Sequence, residues 1–243
     1  MDVLIEPSRA KGEPELSGTG LLLINPGEAE QCGRLSKEFG LQRHFLFNSK
    51  LYSNHEKDPA FFWAGPMVGA PMAAMTLEKL IALGGKRFIV YGWCGSLHQD
   101  LKVGDILLPT WATSEEGTSA HYPTERQPAA SDPLRLQLAS HLGEDLHLKT
   151  TSGPVWTTDA PYRETRQKVT SFQEQGILGV EMEFAALAAV AAFRGVELAA
   201  ALLVSDELWR EQWTPGFKRK DFRKKNSTIT KSLLQLCQTL SLA

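Results

Sequence analysis

Residues 179–186 read Gly-Val-Glu-Met-Glu-Phe-Ala-Ala, and residues 202–208, beyond an alanine-rich stretch, read Leu-Leu-Val-Ser-Asp-Glu-Leu. The first segment leaves an apolar strand at Val180 and enters a helix expected over Glu181 to Arg194, with Gly195 as its stop. The second closes a continuous apolar run, Glu197–Val204, of the kind that a strand covered on both faces requires. Strand, helix and strand in succession predict an α/β arrangement. Glu181, Glu183 and Asp206 then fall at strand ends, where such sheets collect ligand-binding groups. An ionised carboxylate such as Glu183 has two acceptor oxygens and can take both hydroxyls of a vicinal diol. The same residues also suit local structural work. Glu181 and Glu183 can serve as first-turn acids that complement the helix dipole, and Asp206 can cap the next turn.

Outward from this centre the alternation continues. Strands are expected over Gly20–Ile24, Phe61–Ala64, Arg87–Tyr91, Asp105–Pro109 and Leu146–Trp156. Helices are expected over Ala70 to Leu83, where Met72, Met75, Leu80 and Leu83 recur at helical spacing before Gly84-Gly85, and from Asp132 to Leu142, with Pro133 in the first turn and Gly143 at the end. A last helix is expected near Phe217 to Leu240. No repeat, low-complexity tract or linker interrupts the pattern, so residues 1–243 are expected to form one domain. Residues 1–19 would be an irregular arm or an extra edge strand.

Composition narrows the function classes. The 243 residues carry 26 basic and 28 acidic side chains, a formal charge of −2, with 42% apolar and 22% charged residues. These are ordinary globular values. A near-neutral balance argues against general nucleic-acid binding. No apolar run approaches the ~18 residues of a membrane span. Asp2 and Glu6 fall where a secretory signal would be basic and then apolar, so none is expected. The three cysteines, Cys32, Cys94 and Cys237, are odd in number and widely spaced, which suits a reducing cytoplasm better than a disulfide framework or a zinc site.

The Gly-Val-Glu-Met-Glu signature, followed by Ser205-Asp206, resembles the nucleoside phosphorylase family: purine nucleoside phosphorylases of the hexameric type, uridine phosphorylases and methylthioadenosine nucleosidases. The resemblance spans residues 60–220. It includes Gly65 to Leu83 and the segment from Arg87 to Leu108, which is similar to the family's central strand and glycine turn around Gly92 and Trp93. Glu116-Gly117-Thr118-Ser119-Ala120-His121-Tyr122 looks most like the uridine branch. Thr157-Thr158-Asp159-Ala160-Pro161-Tyr162 falls where the family has its base-pocket loop, which puts Thr158 and Tyr162 at the base.

The resemblance implies a three-layer fold with a twisted mixed sheet, partly closed as a barrel and flanked by helices. It implies cleavage of a ribonucleoside N-glycosidic bond, purine or uridine, to free base and ribose 1-phosphate. In this reading Met182 packs on the sugar, Glu183 binds the ribose hydroxyls, Asp206 is the acid toward the base with Ser205 and Glu181 beside it, and Arg219 assists Asp206. An aspartate at 206 favours purines; the 116–122 segment favours uridine. Thr165, Arg166 and Gln167 lie near the place where the uridine branch grips uracil. A homodimer or a hexamer is implied. Phosphate is the expected co-substrate, and no metal or organic cofactor is expected because no His/Cys/Asp cluster has ligand spacing.

The pattern breaks at phosphate. The family's arginine and following serine or threonine are replaced by Val90 and Trp93. Its early Gly-Asp-Pro turn and arginine are reduced to Pro26-Gly27-Glu28 and Gln31. A desolvated dianion needs charge-assisted partners, and Glu28 would repel it. Three alternatives stay open: hydrolysis by water, a relocated phosphate site at Arg34, Arg43 or the basic run at 218–225, or binding without turnover. Cys94, Trp156, His98 and His121 are expected to be packing or loop residues. Trp93 has the bulk to fill a phosphate pocket.

Overall fold

The computed structural model describes residues 3–54, 60–124 and 127–242. The elements among them are β1 (Thr19–Leu23), α1 (Pro26–Leu35), β2 (Gln42–Leu46), β3 (Ser49–Ser53), β4 (Phe62–Gly65), α2 (Ala70–Ala82), β5 (Arg87–Ser96), β6 (Ile106–Glu115), α3 (Asp132–Ser140), β7 (Thr150–Thr158), α4 (Arg166–Glu174), β8 (Gly179–Glu181), α5 (Phe184–Arg194), β9 (Glu197–Glu207), β10 (Thr214–Pro215) and α6 (Lys220–Leu240). The strands form one mixed sheet in the order β10-β9-β6-β7-β8-β5-β1-β4-β3-β2, and β9 also pairs with β5. That extra pairing closes β5, β9, β6, β7 and β8 into a barrel, while β1, β4, β3 and β2 extend from it as an open sheet.

Closure rests on small side chains and on alternation. Along β9, Leu198, Ala200, Leu202 and Val204 face a core shared with α2 and α5. Ala199, Ala201 and Leu203 face a second core shared with α1, α3 and α6. Phe88 and Val90 of β5 join the first core, and Ile89 and Tyr91 join the second. Both faces are therefore buried, which produces the three layers and explains the unbroken apolar runs. Val90 is a core residue and does not line the cavity described below.

β5 and β9 run in parallel register from Arg87↔Glu197 to Cys94↔Val204, and then Gly95 pairs with Asp206. Ser205 is the extra residue of this bulge, which shifts the face presented by the end of β9. Gly95 suits the crowded spot: a Cβ there would lie 2.3 Å from Leu208 Cδ1 and 3.3 Å from Asp206 Oδ2.

Several boundaries differ from expectation. β5 continues through the glycine-rich segment to Ser96, where a turn was expected after Tyr91, because β9 pairs with it along its whole length. β6 runs past Pro109 to Glu115 through an irregularity in its pairing with β7. The strand expected over Leu146–Trp156 is β7, displaced to Thr150–Thr158, because the chain winds on past α3 through His141–Asp145 and Leu146 and Leu148 pack against the helical core. α5 begins at Phe184, after Glu183 as its cap residue. α6 begins at Lys220. Residues 3–18 hold no helix or strand, in keeping with an irregular arm, and Lys79 on α2 ties the arm down through Ser8 O at 2.7 Å and Glu13 Oε2 at 2.6 Å. All three cysteines are free and buried. Among the described residues no helix is long and apolar enough to cross a membrane.

Candidate active site

The ends of β5, β8 and β9 and the segment entering α4 surround a cavity of about 440 Å³. Glu181, Met182, Glu183, Trp93, Ser205, Asp206 and Tyr162, all expected at the site, line it. Ile24, Asn25, Val68, Cys94, Gly95, Glu164, Arg166 and Trp213 are also in its wall.

The two glutamates divide the roles that the sequence left open. Glu181 is a helix cap: its Oε2 accepts the N–H groups of Glu183 and Phe184, each at 2.7 Å, and its Oε1 accepts the Thr157 hydroxyl. Four orphan N–H groups open every helix, and this carboxyl satisfies two of them for α5. Glu183 stands one residue before α5 and accepts the Gly69 N–H at 2.6 Å. Gly69 is the residue before α2 and has φ +88°, which glycine adopts without strain. One hydrogen bond thus couples the starts of two packed helices and fixes Glu183 at the cavity wall. Burial raises the pKa of both carboxyls, and for Glu183 the neighbouring Glu181 charge adds to the shift.

Asp206 lies opposite on the bulged end of β9. Its Oδ1 accepts the Ser205 hydroxyl at 2.6 Å, and its Oδ2 accepts the Trp213 indole N–H at 2.7 Å. Trp213 comes from the loop beyond β9, and that loop is held by Arg166. The guanidinium donates to Leu208 O and Arg210 O, both at 2.6 Å, and to Glu211 O at 3.1 Å. Glu164, two residues before Arg166, is half-buried, and desolvation followed by the charge of Asp206 raises its pKa to about 7. Cys94 lies in the same wall, and burial pushes its thiol well up, so it stays protonated.

Other expectations are not met in space. Arg219 is not brought to Asp206: it is 58% exposed at the start of α6 and pairs with Asp221, because residues 214–219 turn the chain away from the cavity after β10. Thr158 and Gly92 do not line the cavity. Thr158 is buried and accepts the Ala160 N–H at 3.3 Å, and a Cβ at Gly92 would meet Ile24 at 2.9 Å. The 116–122 segment lies off the cavity: Glu116 accepts Ser114 Oγ at 2.8 Å and the Thr118 N–H at 2.6 Å, Gly117 N–H donates to Asp159 Oδ2 at 3.1 Å, and Tyr122 packs edge-on against Phe193.

The phosphate question takes a definite form. Trp93 packs edge-on against Phe222, ring centroids 5.1 Å apart, and donates its indole N–H to Asn226 Oδ1 at 3.3 Å. Tyr91 donates to the same oxygen at 2.7 Å, and Asn226 in turn donates to the buried Glu28. Burial raises the pKa of Glu28. An aromatic and an amide–acid network therefore occupy the place where the resemblance put phosphate. Arg34 pairs with Glu30, Lys225 donates to Gly104 O, and neither they nor Arg43 line the cavity. Four carboxyls in the wall face one guanidinium, and that guanidinium is occupied by three carbonyls. Burial neutralises part of this carboxyl charge, and a dianion would still find no free cation in the wall among the described residues.

Comparison with known proteins agrees with this architecture. A family model described as the phosphorylase superfamily matches residues 20–237. A guanosine phosphorylase of Halorubrum lacusprofundi is 34% identical over 141 residues, which cover 58% of this chain and 58% of that protein. A DeoD-type purine nucleoside phosphorylase of Bacillus cereus is 32% identical over 159 residues, 64% of this chain and 67% of the relative. Among solved structures, the purine nucleoside phosphorylase of Toxoplasma gondii in complex with immucillin-H superposes with a TM-score of 0.79 at 19% identity, covering 93% of this chain and 92% of that one. The P knowlesi homolog of P falciparum PNP gives 0.76 at 20% identity, covering 98% and 96%. At these identities the two structures speak for the fold, and the family model, which takes in nearly the whole sheet and its helices, assigns the chain to the phosphorylase superfamily.

Proposed function

We propose that the chain cleaves the N-glycosidic bond of a purine ribonucleoside, with Glu183 holding the ribose hydroxyls, Met182 against the sugar and Asp206 protonating the departing base. The observation that carries this reading is the pairing of Glu183 and Asp206 in one cavity, one on the cap of α5 and the other on the bulge of β9. Bond cleavage builds positive charge on the sugar and negative charge on the base. An acid-rich wall stabilises the first, and a proton from Asp206 neutralises the second. The names of the guanosine and purine nucleoside phosphorylase relatives support purines and phosphorolysis. The test is release of free base from a panel of purine nucleosides and uridine, with ribose 1-phosphate and free ribose followed as products. No base released from any purine nucleoside overturns the reading.

A second reading of the acceptor, water in place of phosphate, is favoured by the Trp93–Asn226–Glu28 network and the lack of a free cation in the wall among the described residues. On that reading phosphate does not raise turnover and does not shift the melting temperature. A dianion bound at 100 times its dissociation constant would stabilise the fold by about 2.7 kcal/mol, which a melt at constant ionic strength resolves. Saturation of the unmodified protein by phosphate, with ribose 1-phosphate as product, decides for phosphorolysis.

A homodimer or a hexamer belongs to the proposal. Phe45, Phe47, Met75 and Phe193 are exposed around one groove, an apolar patch of the kind that self-association covers. Light scattering after size exclusion is expected to give an even multiple of the 26.9 kDa chain. A monomer at micromolar concentration counts against the assembly.

A further inference from the structure

A second cluster of reactive groups lies away from the nucleoside cavity. The chain leaves α3 through one wide turn, His141–Asp145, closed by the Leu146 N–H on His141 O at 3.3 Å, five residues back. Turns of this kind are rare and gather at functional sites. Here the imidazole Nδ1 of His141 stands 2.9 Å from Asp145 Oδ2. His147, just beyond, holds φ +54°, in the left-handed region that a residue with a Cβ seldom occupies. The other ring nitrogen of His141 meets α6: Nε2 stands 2.7 Å from Ser232 Oγ. Along α6 the hydroxyls of Thr228, Thr230 and Thr239 donate to the carbonyl four residues back, the ordinary choice inside a helix. The Ser232 hydroxyl is turned to the imidazole instead. With Nδ1–H directed to the Asp145 carboxylate, Nε2 is bare and accepts the serine proton.

Ser232 also lines a groove of about 540 Å³ between α1 and α6, which shares no lining residue with the nucleoside cavity. Gln31, Arg34, Lys231 and Gln235 line it too, and no acid does among the described residues. Arg34 is paired with Glu30 at 2.6 Å, whereas Lys231 stands 4.0 Å from Glu38 and is the freer cation. A serine, an imidazole and a carboxylate joined in this order form the arrangement that activates a hydroxyl for attack. We propose that the groove is a second active site, in which Ser232 hydrolyses a small ester whose acyl group carries a carboxylate. Ser232 Oγ bonds to the ester carbonyl carbon while its proton passes to His141 Nε2. The Gln235 amide and the Lys231 ammonium are the donors that meet the oxyanion. The bond from carbon to the alcohol oxygen then breaks, and the alcohol leaves with the proton from His141. Water, giving its proton to His141, cleaves the acyl-serine, frees the acid and returns the proton to Ser232. Asp145 is a positioning residue that holds the imidazole in its tautomer. The charge of Lys231 favours the anionic acyl group.

The test uses a fluorophosphonate, which loses fluoride to an activated serine, and two p-nitrophenyl esters, the acetate and the hemisuccinate. Peptide mass mapping of the wild type is expected to find one phosphonyl group per chain, on Ser232. The hemisuccinate should turn over about two- to fivefold faster than the acetate, as an exposed ion pair allows, and salt should narrow the gap. Ser232→Ala and His141→Gln should each lower ester turnover about 10²-fold or more. Glutamine can still bond the serine hydroxyl, so a merely structural contact survives in His141→Gln while the base is lost. No label on Ser232, label on Ser227 or Thr228 in its place, no turnover of either ester, or turnover that survives Ser232→Ala overturns the proposal. A preference for the acetate overturns the anionic acyl group. Thermal melts identify any variant that fails to fold, and the labelling of the wild type decides without it.

Discussion

Replacing Asp206 by asparagine is expected to lower turnover of natural purine nucleosides by about 10²-fold or more, while the protein keeps its fold. The amide is of similar size and its oxygen still accepts one of the two donors, Ser205 Oγ or Trp213 Nε1. On the proposed reading, what is lost is the proton for the departing base. A nucleoside analogue whose leaving group departs as a stable anion needs no such proton, so its rate should fall far less. The ratio of the two losses is the measurement. Equal losses would show that Asp206 shapes the cavity and nothing more. Because Arg219 is paired with Asp221 away from the cavity, Arg219→Ala should leave both rates close to those of the parent protein.

Glu183→Gln is the second large effect. The variant retains an oxygen for the Gly69 N–H and loses the negative charge that two ribose hydroxyls would meet. A charge-assisted hydrogen bond contributes about 1.5–3 kcal/mol, so kcat/KM on ribonucleosides should drop roughly ten- to a hundredfold. A 2′,3′-dideoxynucleoside, poor for the wild type, should lose little further. Stability should move the other way. The folded pKa of Glu183 lies above its unfolded value, so the native state binds more protons than the unfolded state and wild-type stability falls as pH rises through that interval. The glutamine side chain does not titrate. Thermal melts of the variant at alkaline pH should therefore match or exceed those of the wild type, although its activity is reduced. An active variant with unchanged kinetics would remove Glu183 from the sugar site.

The centre of this fold was legible because its strands are buried on both faces: β1, β5 and β9 each appear as apolar runs that nothing else explains. The margins were less legible. β2 has Gln42, Arg43 and Phe45 exposed, and β3 has two buried side chains, so neither segment carries a clear period of two. β8 has three residues and holds its place only through neighbours on both sides. α1 was obscured by Pro26-Gly27, although proline in a first turn is itself a helix-start signal. α4 buries only Val169 and Phe172, too few for an apolar stripe. At the site, residues carried by strand ends came together as expected. The family resemblance placed Arg219 near Asp206, but β10 and its turn lie between them. Glu164 and Trp213 come from loops, and the Arg166 clamp from the first residue of α4, and no local pattern announces such contacts.

The bulge at Ser205 makes possession of the acid a matter of counting residues. Because side chains alternate along a strand, regular pairing of Ser205 with Gly95 and Asp206 with Ser96 would let β5 and β9 run without interruption and would carry Asp206 to the opposite face. The repaired ladder would gain regularity, and the barrel would become chemically mute. Endurance and reactivity therefore compete at a single position. A laboratory selection for heat resistance alone is expected to drift toward substitutions around residue 205 that regularise this pairing, melt later and release no base. A screen that also scores turnover should retain the irregular pairing in every survivor.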